Sequence, residues 1–465
     1  LVGSEMCIRD RDNKMEWKNK KVLVFGSGKS GIGAAELLEK LGACPVIYDN
    51  NEKLDKSSVL EQLDRPADIY LGELPEEVKA SLDLVVMSPG VPCDQPLVES
   101  FRAEKIPVWG EVELAYRIGK GTVLAVTGTN GKTTTTALLG EIMKSACPEV
   151  YVVGNIGNPY TGAVLEQSGQ AVTVAEISSF QLETIDAFHP QVSAITNITE
   201  DHLNRHHTME EYIRVKERIA ENQRGEDVCV LNYEDPILRK FGETLPCRTV
   251  WFSSSRALEQ GIFLEDGAII LQDGEKRIPV VRTKELKLLG LHNYENVMTA
   301  AAMAYYAGVP VEKIRETACG FSGVEHRIEY VTEKNGVRYY NDSKGTNPDA
   351  AIKGIRAMVR PTLLIGGGYD KQSTYGEWID SFDGKVKYLV LIGATRDKIA
   401  AEALEHGFPR ERILFCENLE EAVKTCAAHG EPGDAVLLSP ACASWDQFKS
   451  YEQRGELFKE YVKAL

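Results

Sequence analysis

From Lys21 onward, short apolar runs alternate with longer stretches in which apolar residues return every three or four positions. The short runs predict buried strands, the longer stretches predict helices packed on them, and their alternation predicts an α/β protein with mainly parallel sheets. Three blocks emerge. The first has strands at Val22-Leu23-Val24-Phe25, Pro45-Val46-Ile47-Tyr48-Asp49 and Leu84-Val85-Val86-Met87; the second has strands over 122–126, 171–177 and 192–198. After the hinge-like Gly320-Phe321-Ser322-Gly323, the third has strands over 336–341, 362–365, 388–392 and 435–438. The expected domains are therefore 15–110, 111–322 and 323–465, the first and third Rossmann-like and the second built on a mainly parallel sheet. Residues 1–14 have mixed charge and no periodicity and read as a non-native leader ahead of Met15.

Two glycine-rich turns follow predicted strands. Thr127-Gly128-Thr129-Asn130-Gly131-Lys132-Thr133-Thr134 comes directly after Val123-Leu124-Ala125-Val126 and reads as a shortened phosphate-binding loop. Glycines let the backbone approach phosphates, amides at the helix start face the anion, Lys132 adds positive charge, and a Thr hydroxyl can ligate magnesium. The plain alternative is a turn ahead of a Thr-rich helix, but a turn alone has no need of Lys followed by Thr. The other turn, Gly26-Ser27-Gly28-Lys29-Ser30-Gly31 with Asp49 beyond it, matches a dinucleotide fingerprint, which alone would favour NAD. With a phosphate loop a hundred or so residues later, the first block is expected to hold a nucleotide-bearing substrate and the second to hold ATP. Gly366-Gly367-Gly368 has no Lys-Ser/Thr in register and reads as a strand-end turn.

Composition narrows the class. A formal net charge of -16 over 465 residues argues against a nucleic-acid or anionic-membrane surface. Ten cysteines stand singly, without C-x-x-C pairs, so neither a disulfide framework nor a structural zinc site is expected. There is no run long enough to span a membrane and no signal peptide, which points to the cytoplasm.

Within the second block, Glu176 lies at the end of Thr173-Val174-Ala175 and His202 follows Asn197-Ile198-Thr199-Glu200-Asp201, where both would face the sheet's carboxyl edge and could serve a magnesium ion. A surface acid and a packing histidine are the plain alternatives. Thr208-x-x-Glu211 predicts a capping box opening a helix on which Met209, Tyr212, Ile213, Ile219 and Ala220 share an apolar face. Lys216 points into the middle of that face. Burial favours the neutral amine, the form that reacts with carbon dioxide to give a carbamate; periodicity alone favours a lysine whose stem packs and whose head reaches water.

Taken in order, the motifs resemble the Mur ligase family, over most of the chain from Lys21 to Phe458. They are Gly128-Thr-Asn-Gly-Lys-Thr-Thr134, Glu176-Ile-Ser-Ser-Phe-Gln-Leu-Glu183, Asn197-Ile-Thr-Glu-Asp-His202, His292-Asn-Tyr-Glu-Asn296, Glu325-His-Arg327, Asn341-Asp-Ser-Lys-Gly-Thr-Asn347 and Leu438-Ser-Pro-Ala-Cys-Ala-Ser444. The last two point to the branch that adds D-glutamate to UDP-N-acetylmuramoyl-L-alanine. The resemblance implies a cytoplasmic, monomeric ATP-dependent ligase of peptidoglycan synthesis that works through an acyl phosphate with two magnesium ions.

The same resemblance assigns roles. Gly128, Thr129, Asn130, Gly131, Lys132, Thr133 and Thr134 would cradle ATP, with Asn296, Arg327 and Asp342 as further ATP contacts, Asn296 at the adenine. Thr133 and Glu176 would hold one magnesium, and His202 with a carbamate on Lys216 the second; Lys132, His202 and Lys216 would be catalytic. Ser30, Asp49, Gly90 and Asn155 would meet the UDP-substrate, and Lys344, Thr346, Ser439 and the backbone at Phe448 would bind D-glutamate. Lys29-Ser30 and Asp49-Asn50-Asn51 depart from the apolar-Thr and Asp-Thr-Arg runs of many members. Other readings stay open: another Mur ligase or a folylpolyglutamate synthase, an NAD-dependent oxidoreductase, or a non-catalytic UDP-sugar-binding module.

Overall fold

A computed structural model of the chain describes residues 16–155 and 158–465. The expected leader over 1–14, Met15 and Ile156-Gly157 lie outside them. Two compact units form, one from the described residues up to Val280 with Glu295–Thr317, the other from Val281–Tyr294 with Ala318–Leu465.

Among the described residues the strands make three sheets. The first contains β1 (Lys21–Phe25), β2 (Cys44–Asp49), β3 (Asp68–Leu71), β4 (Leu84–Met87) and β5 (Val108–Gly110), ordered β3-β2-β1-β4-β5 and parallel throughout. The second contains β6 (Thr122–Thr127), β7 (Val150–Gly154), β8 (Val172–Glu176), β9 (Val192–Ile195), β10 (Val228–Asn232), β11 (Arg248–Ser253), β12 (Gly261–Glu265), β13 (Ala268–Asp273) and β14 (Lys276–Arg282). Its order is β14-β13-β12-β11-β10-β9-β6-β8-β7, parallel from β7 to β12 and antiparallel between β12 and β13. The third contains β15 (Glu329–Lys334), β16 (Val337–Asn341), β17 (Thr362–Gly366), β18 (Val386–Leu391), β19 (Ile413–Phe415) and β20 (Ala435–Leu438), ordered β15-β16-β20-β17-β18-β19 with only the β15–β16 pair antiparallel. Every strand expected from the sequence is present. The additions are β3, β5, β7, β10 to β15 and β19, and the antiparallel β12–β13 pair makes the central sheet mixed.

Burial explains which runs became inner strands. Val123, Leu124, Ala125 and Val126 are fully buried, as are Leu363, Leu364 and Ile365, because helices cover both faces of a parallel sheet. In each sheet a strand lies where chain order reverses, β1 between β2 and β4, β6 between β8 and β9, and β20 between β16 and β17. Ligands of such sheets bind beyond the carboxyl ends of the strands at these reversal points. Gly26, Asp49 and Ser88-Pro89-Gly90 occupy that place in the first sheet, Gly128 and Glu176 in the second, and Asp342 and Ser439 in the third.

The first two sheets share one apolar core, running from Val22 and Val24 through Trp109, Val112 and Tyr160 to Val123, Ala125 and Ile195. The helix Glu111–Ile118 joins them. Glu113, fully buried on it, accepts the backbone N–H groups of Asp186, Ala187 and Phe188 at 2.9 Å each and pairs with Arg117. Three amide donors satisfy a buried carboxylate that would otherwise be costly to desolvate.

The turn after β1 needs a glycine for space. A Cβ on Gly31 would stand 1.8 Å from the Gly26 carbonyl oxygen, whereas one on Gly28 would meet nothing within 4 Å. Gly31→Ala should therefore lower the melting temperature of this unit by roughly 4–12 °C, the equivalent of ~2–3 kcal/mol of overpacking. Gly28→Ala should stay within about 1 kcal/mol of the parent, because lost chain entropy in the unfolded state offsets a poorer helix cap. Thermal melting of both variants checks the pair; equal melting would contradict the close approach.

Candidate active site

The loop between β6 and the helix Lys132–Ala146 is stitched to the end of β9. Thr129 N donates to Asn197 O and Asn130 N to Asn197 Oδ1, both at 2.9 Å, while Thr196 Oγ donates to Asn130 O at 2.5 Å. Gly128 (φ +141°) and Gly131 (φ +84°) take backbone angles unsuited to other residues, and Cβ atoms there would strike Thr196 Oγ1 at 1.9 Å and Asn296 Oδ1 at 2.3 Å. Thr133 is partly exposed and Thr134 is buried on the first helical turn. Asn296, nearly 300 positions into the chain, is thus brought beside the loop, where it accepts from Thr135 Oγ1 at 3.3 Å. The resemblance expects it at the adenine.

Two lysines meet here. Lys132 Nζ donates to Gly128 O and Thr129 O, each at 2.9 Å. Lys216 Nζ donates to the same Gly128 O at 2.7 Å and to Thr127 Oγ1 at 3.3 Å, and lies 5.3 Å from the Tyr212 ring centre. Lys216 is only 2% exposed, so its head does not snorkel to water. Burial first, and then the charge of Lys132, push its amine well below the usual lysine range, against the pull of Asp201 and Glu176. Its helix, Met209–Glu217, is capped by Thr208, which accepts from Glu211 N at 3.1 Å. The expected box is only half formed, because the Glu211 carboxylate turns to Arg214 instead, at 2.6 and 2.8 Å.

Glu176 ends β8 in register with Val126 and is 1% exposed. Its Oε1 accepts from Asn155 Nδ2 at 2.9 Å, whereas Oε2 is buried without a hydrogen-bond partner among the described residues. A carboxylate oxygen left bare beside a phosphate loop suits a divalent cation, and the hard oxygen donors here suit magnesium. Asn155, expected at the muramoyl end of the substrate, thus stands against Glu176. His202 has a left-handed backbone (φ 53°) and caps the short helix Leu203–His206. Its ring lies 4.9 Å from that of Phe180, its Nε2 is 3.4 Å from Asp201 Oδ2, and its side chain is 48% exposed.

At the first sheet's edge, Asp49 Oδ2 accepts from Ser27 N at 3.0 Å and Ser27 Oγ at 2.7 Å, and Oδ1 accepts from Asn51 N at 3.0 Å. Burial alone would raise this carboxyl, but those three bonds hold it below the usual range. Ser30 is partly exposed, and the exposed Gly90 offers its carbonyl to Arg205. No sequence motif marks Arg205, whose five donated bonds only the folded chain reveals.

In the second unit, Asp342 and Ser439, 97 positions apart, form a buried pair with Oγ donating to Oδ2 at 2.7 Å. Ile328 N donates to Asp342 Oδ1 at 3.2 Å. Ser439 is fully buried, so its hydroxyl is committed to that carboxylate. Phe448 N likewise donates to Ser444 O at 2.9 Å. Arg327 and Lys344 are exposed and Thr346 partly so; Lys344 Nζ stands 5.7 Å from the Tyr451 ring centre. The exposed Trp445 carries Lys371 Nζ at 4.9 Å, a pair the motifs did not signal. β17 ends at Gly366, and the two glycines after it take positive φ angles, as expected of a strand-end turn.

Burial pushes the Asp342 carboxyl up to about 7. A folded-state value above the unfolded one favours the protonated native form, so its stability contribution is complete below about 4 and is lost as pH rises to about 7. Asp342→Asn cannot ionise. Its melting temperature relative to the parent should therefore rise between pH 4 and pH 8, by the equivalent of up to about 4 kcal/mol. Paired melts across that range check it, and a constant difference would count against the buried acid.

Comparison with known proteins adds a second line. The Mur ligase MurD-like N-terminal domain matches residues 20–110, the Mur ligase middle domain 126–304, and the Mur ligase glutamate ligase domain 326–442. The chain is 56% identical to the UDP-N-acetylmuramoylalanine--D-glutamate ligase of Lachnoclostridium phytofermentans over 97% of its length and 99% of that protein. It is 54% identical to the enzyme of the same name from Lachnospira eligens (97% and 100% covered) and 45% identical to that of Clostridioides difficile (97% and 100%). Among solved structures, the UDP-N-acetylmuramate-alanine ligase MurC of Thermotoga maritima aligns with a TM-score of 0.56 at 20% identity, covering 96% of this chain and 99% of that one. MurF of Acinetobacter baumannii aligns with a TM-score of 0.56 at 17% identity, covering 95% and 93%.

Proposed function

The chain belongs to the Mur ligase family, and we propose that within it this protein joins D-glutamate to UDP-N-acetylmuramoylalanine at the expense of ATP, in peptidoglycan synthesis. The observation that carries the reading is the meeting of Lys132 and Lys216 at Gly128 O, with the bare oxygen of Glu176 at the end of the neighbouring strand, at the switch point of the central sheet. The family-model matches lie within the three domains proposed at 15–110, 111–322 and 323–465. Among the described residues no helix is long and apolar enough to cross a membrane, and the described cysteines are free thiols; a cytoplasmic location and a monomeric state are part of the proposal.

Joining a carboxylate to an amine in water requires activation of the carboxylate. The L-alanine carboxylate of the substrate attacks the γ-phosphorus of ATP, ADP leaves, and the resulting acyl phosphate is attacked by the free amine of D-glutamate, which expels phosphate. Lys132 and the amides of residues 128–134 hold the phosphates and offset repulsion between the two anions. Thr133 and Glu176 would hold one magnesium ion, and His202 with a carbamate on Lys216 a second; bound there, the ions would polarise the phosphoryl oxygens. The carbamate reading is supported by the burial of Lys216, which pushes its amine below the usual lysine range. Asn296, Arg327 and Asp342 are proposed as further ATP contacts. Ser30, Asp49, Gly90 and Asn155 are proposed for the UDP-substrate, and Lys344, Thr346, Ser439 and the Phe448 backbone for D-glutamate.

Phosphate release from ATP with UDP-N-acetylmuramoyl-L-alanine should occur with D-glutamate and not with L-glutamate, D-alanine, L-lysine or meso-diaminopimelate. Release with another acceptor would keep the ligase chemistry but overturn the amino-acid assignment. Lys216→Ala should lower turnover by at least ~100-fold, and a short added carboxylic acid should restore part of it; a fully active variant would remove the carbamate from the mechanism.

A further inference from the structure

Arg205 is the third residue of the short helix that His202 caps. Its Nη2 donates to Val91 O at 2.7 Å and to Glu183 Oε2 at 2.6 Å, its Nε donates to both Glu183 oxygens at 3.1 and 3.2 Å, and its Nη1 reaches Gly90 O at 3.5 Å. The guanidinium carbon also lies 4.9 Å from the Phe180 ring centre, the same ring that lies 4.9 Å from His202. The next residue, His206, repeats the anchoring, with Nε2 at 3.0 Å from Ser179 Oγ and Nδ1 at 3.3 Å from Glu183 Oε1. The side chains of Arg205 and Glu183 are only 10% and 11% exposed, so the pair is poorly screened by water.

One side chain therefore touches the turn after β4 in the first sheet, the segment that follows Glu176, and the ring that packs on His202. A cavity of about 240 Å³ opens beside it, lined in part by Cys93, Arg102, His207 and Arg214. Its outer cations are already matched to acids, Arg102 to Glu99, His207 to Asp94 and Arg214 to Glu211, which leaves no charge there to recruit a ligand. The bonds of Arg205 point instead into the proposed site.

We infer that Arg205 is a positioning residue for the ligation: it fastens the Gly90-Val91 turn, where the UDP end of the substrate lies in the proposed function, to the Phe180–His202 pair at the reacting end. The inference rests on that reading. A bound UDP moiety then sets the register of the L-alanine carboxylate through one rigid connection. Only a planar guanidinium can fork onto a carboxylate, donate to a carbonyl and lie against a ring at once, so lysine is not a substitute. A displacement of about 1 Å at a reacting carboxylate costs on the order of 100-fold in rate.

The test compares Arg205→Lys, Phe180→Leu and the double variant with the parent enzyme under saturating magnesium. Arg205→Lys should lower kcat by roughly 10–100-fold and raise KM for the UDP-substrate, with KM for ATP and for D-glutamate within about twofold of the parent. Phe180→Leu leaves the Arg205–Glu183 pair intact and should lower kcat with little change in melting temperature. The double variant should lose little more than the worse single variant, because both break the same connection. Additive losses, equal changes in all three KM values, parent-like turnover of Phe180→Leu, or a deficit that vanishes when rates are corrected for folded protein would each overturn the inference. Failure of the proposed function itself would look different, since the parent enzyme would then release no phosphate with these substrates.

Discussion

The chemistry at the edge of the central sheet turns on a single carbonyl oxygen. Gly128 O accepts from Lys132 at 2.9 Å and from Lys216 at 2.7 Å, which places two lysine amines around one acceptor in a largely buried corner. Two unit charges about 4 Å apart repel by roughly 4 kcal/mol at an effective dielectric of about 20. The protein answers by disfavouring the charge on Lys216, through burial and through Lys132 itself, and by keeping the carboxylate of Glu176 close at hand. A corner that repels its own cations and holds a bare carboxylate oxygen is suited to receive phosphates and divalent cations together, the pairing an ATP-dependent ligase uses.

The backbone makes that corner possible. Gly128 and Gly131 sit at angles closed to side chains, and the space a Cβ would need is taken by Thr196 and Asn296. Thr129 and Asn130 are tied to Asn197, so the loop is held from the neighbouring strand rather than by its own residues alone. Tyr212 adds a further tie, its hydroxyl 2.9 Å from Thr129 Oγ1 on the same helix that delivers Lys216. Loop and lysine are thus placed by shared contacts, and a shift in one moves the other.

Acids and arginines do the joining between the first and second sheets. Glu113 collects three amide donors from 186–188, and Glu183 takes up Arg205, whose remaining donors reach the Gly90-Val91 turn. Both carboxylates are buried or nearly so and both are saturated with donors, which is the condition under which buried charge orders a structure instead of destabilising it. An apolar core continuous between the sheets supplies the bulk of the adhesion, and these directional bonds set its register.

The α/β class, the strands around each reversal point, the phosphate loop and the family were legible in the chain, because each rests on local signals: continuous apolar runs, glycines at a strand end, Lys followed by Thr, and motifs in a set order. The sequence also placed Lys216 on the apolar face of its helix, since a period of 3.6 residues suffices for that. It left undecided whether the amine reached water, and folding decided it by closing Thr127 and Gly128 over the amine. The strands from β10 to β14, the half-made capping box at Thr208, the Asp342–Ser439 pair and the reach of Arg205 to Val91 were likewise decided only in three dimensions. Each depends on partners distant in the chain or on a choice between competing partners, as when Glu211 takes Arg214 in place of its own helix end. Local pattern specifies which surface a residue presents; only packing specifies what that surface meets.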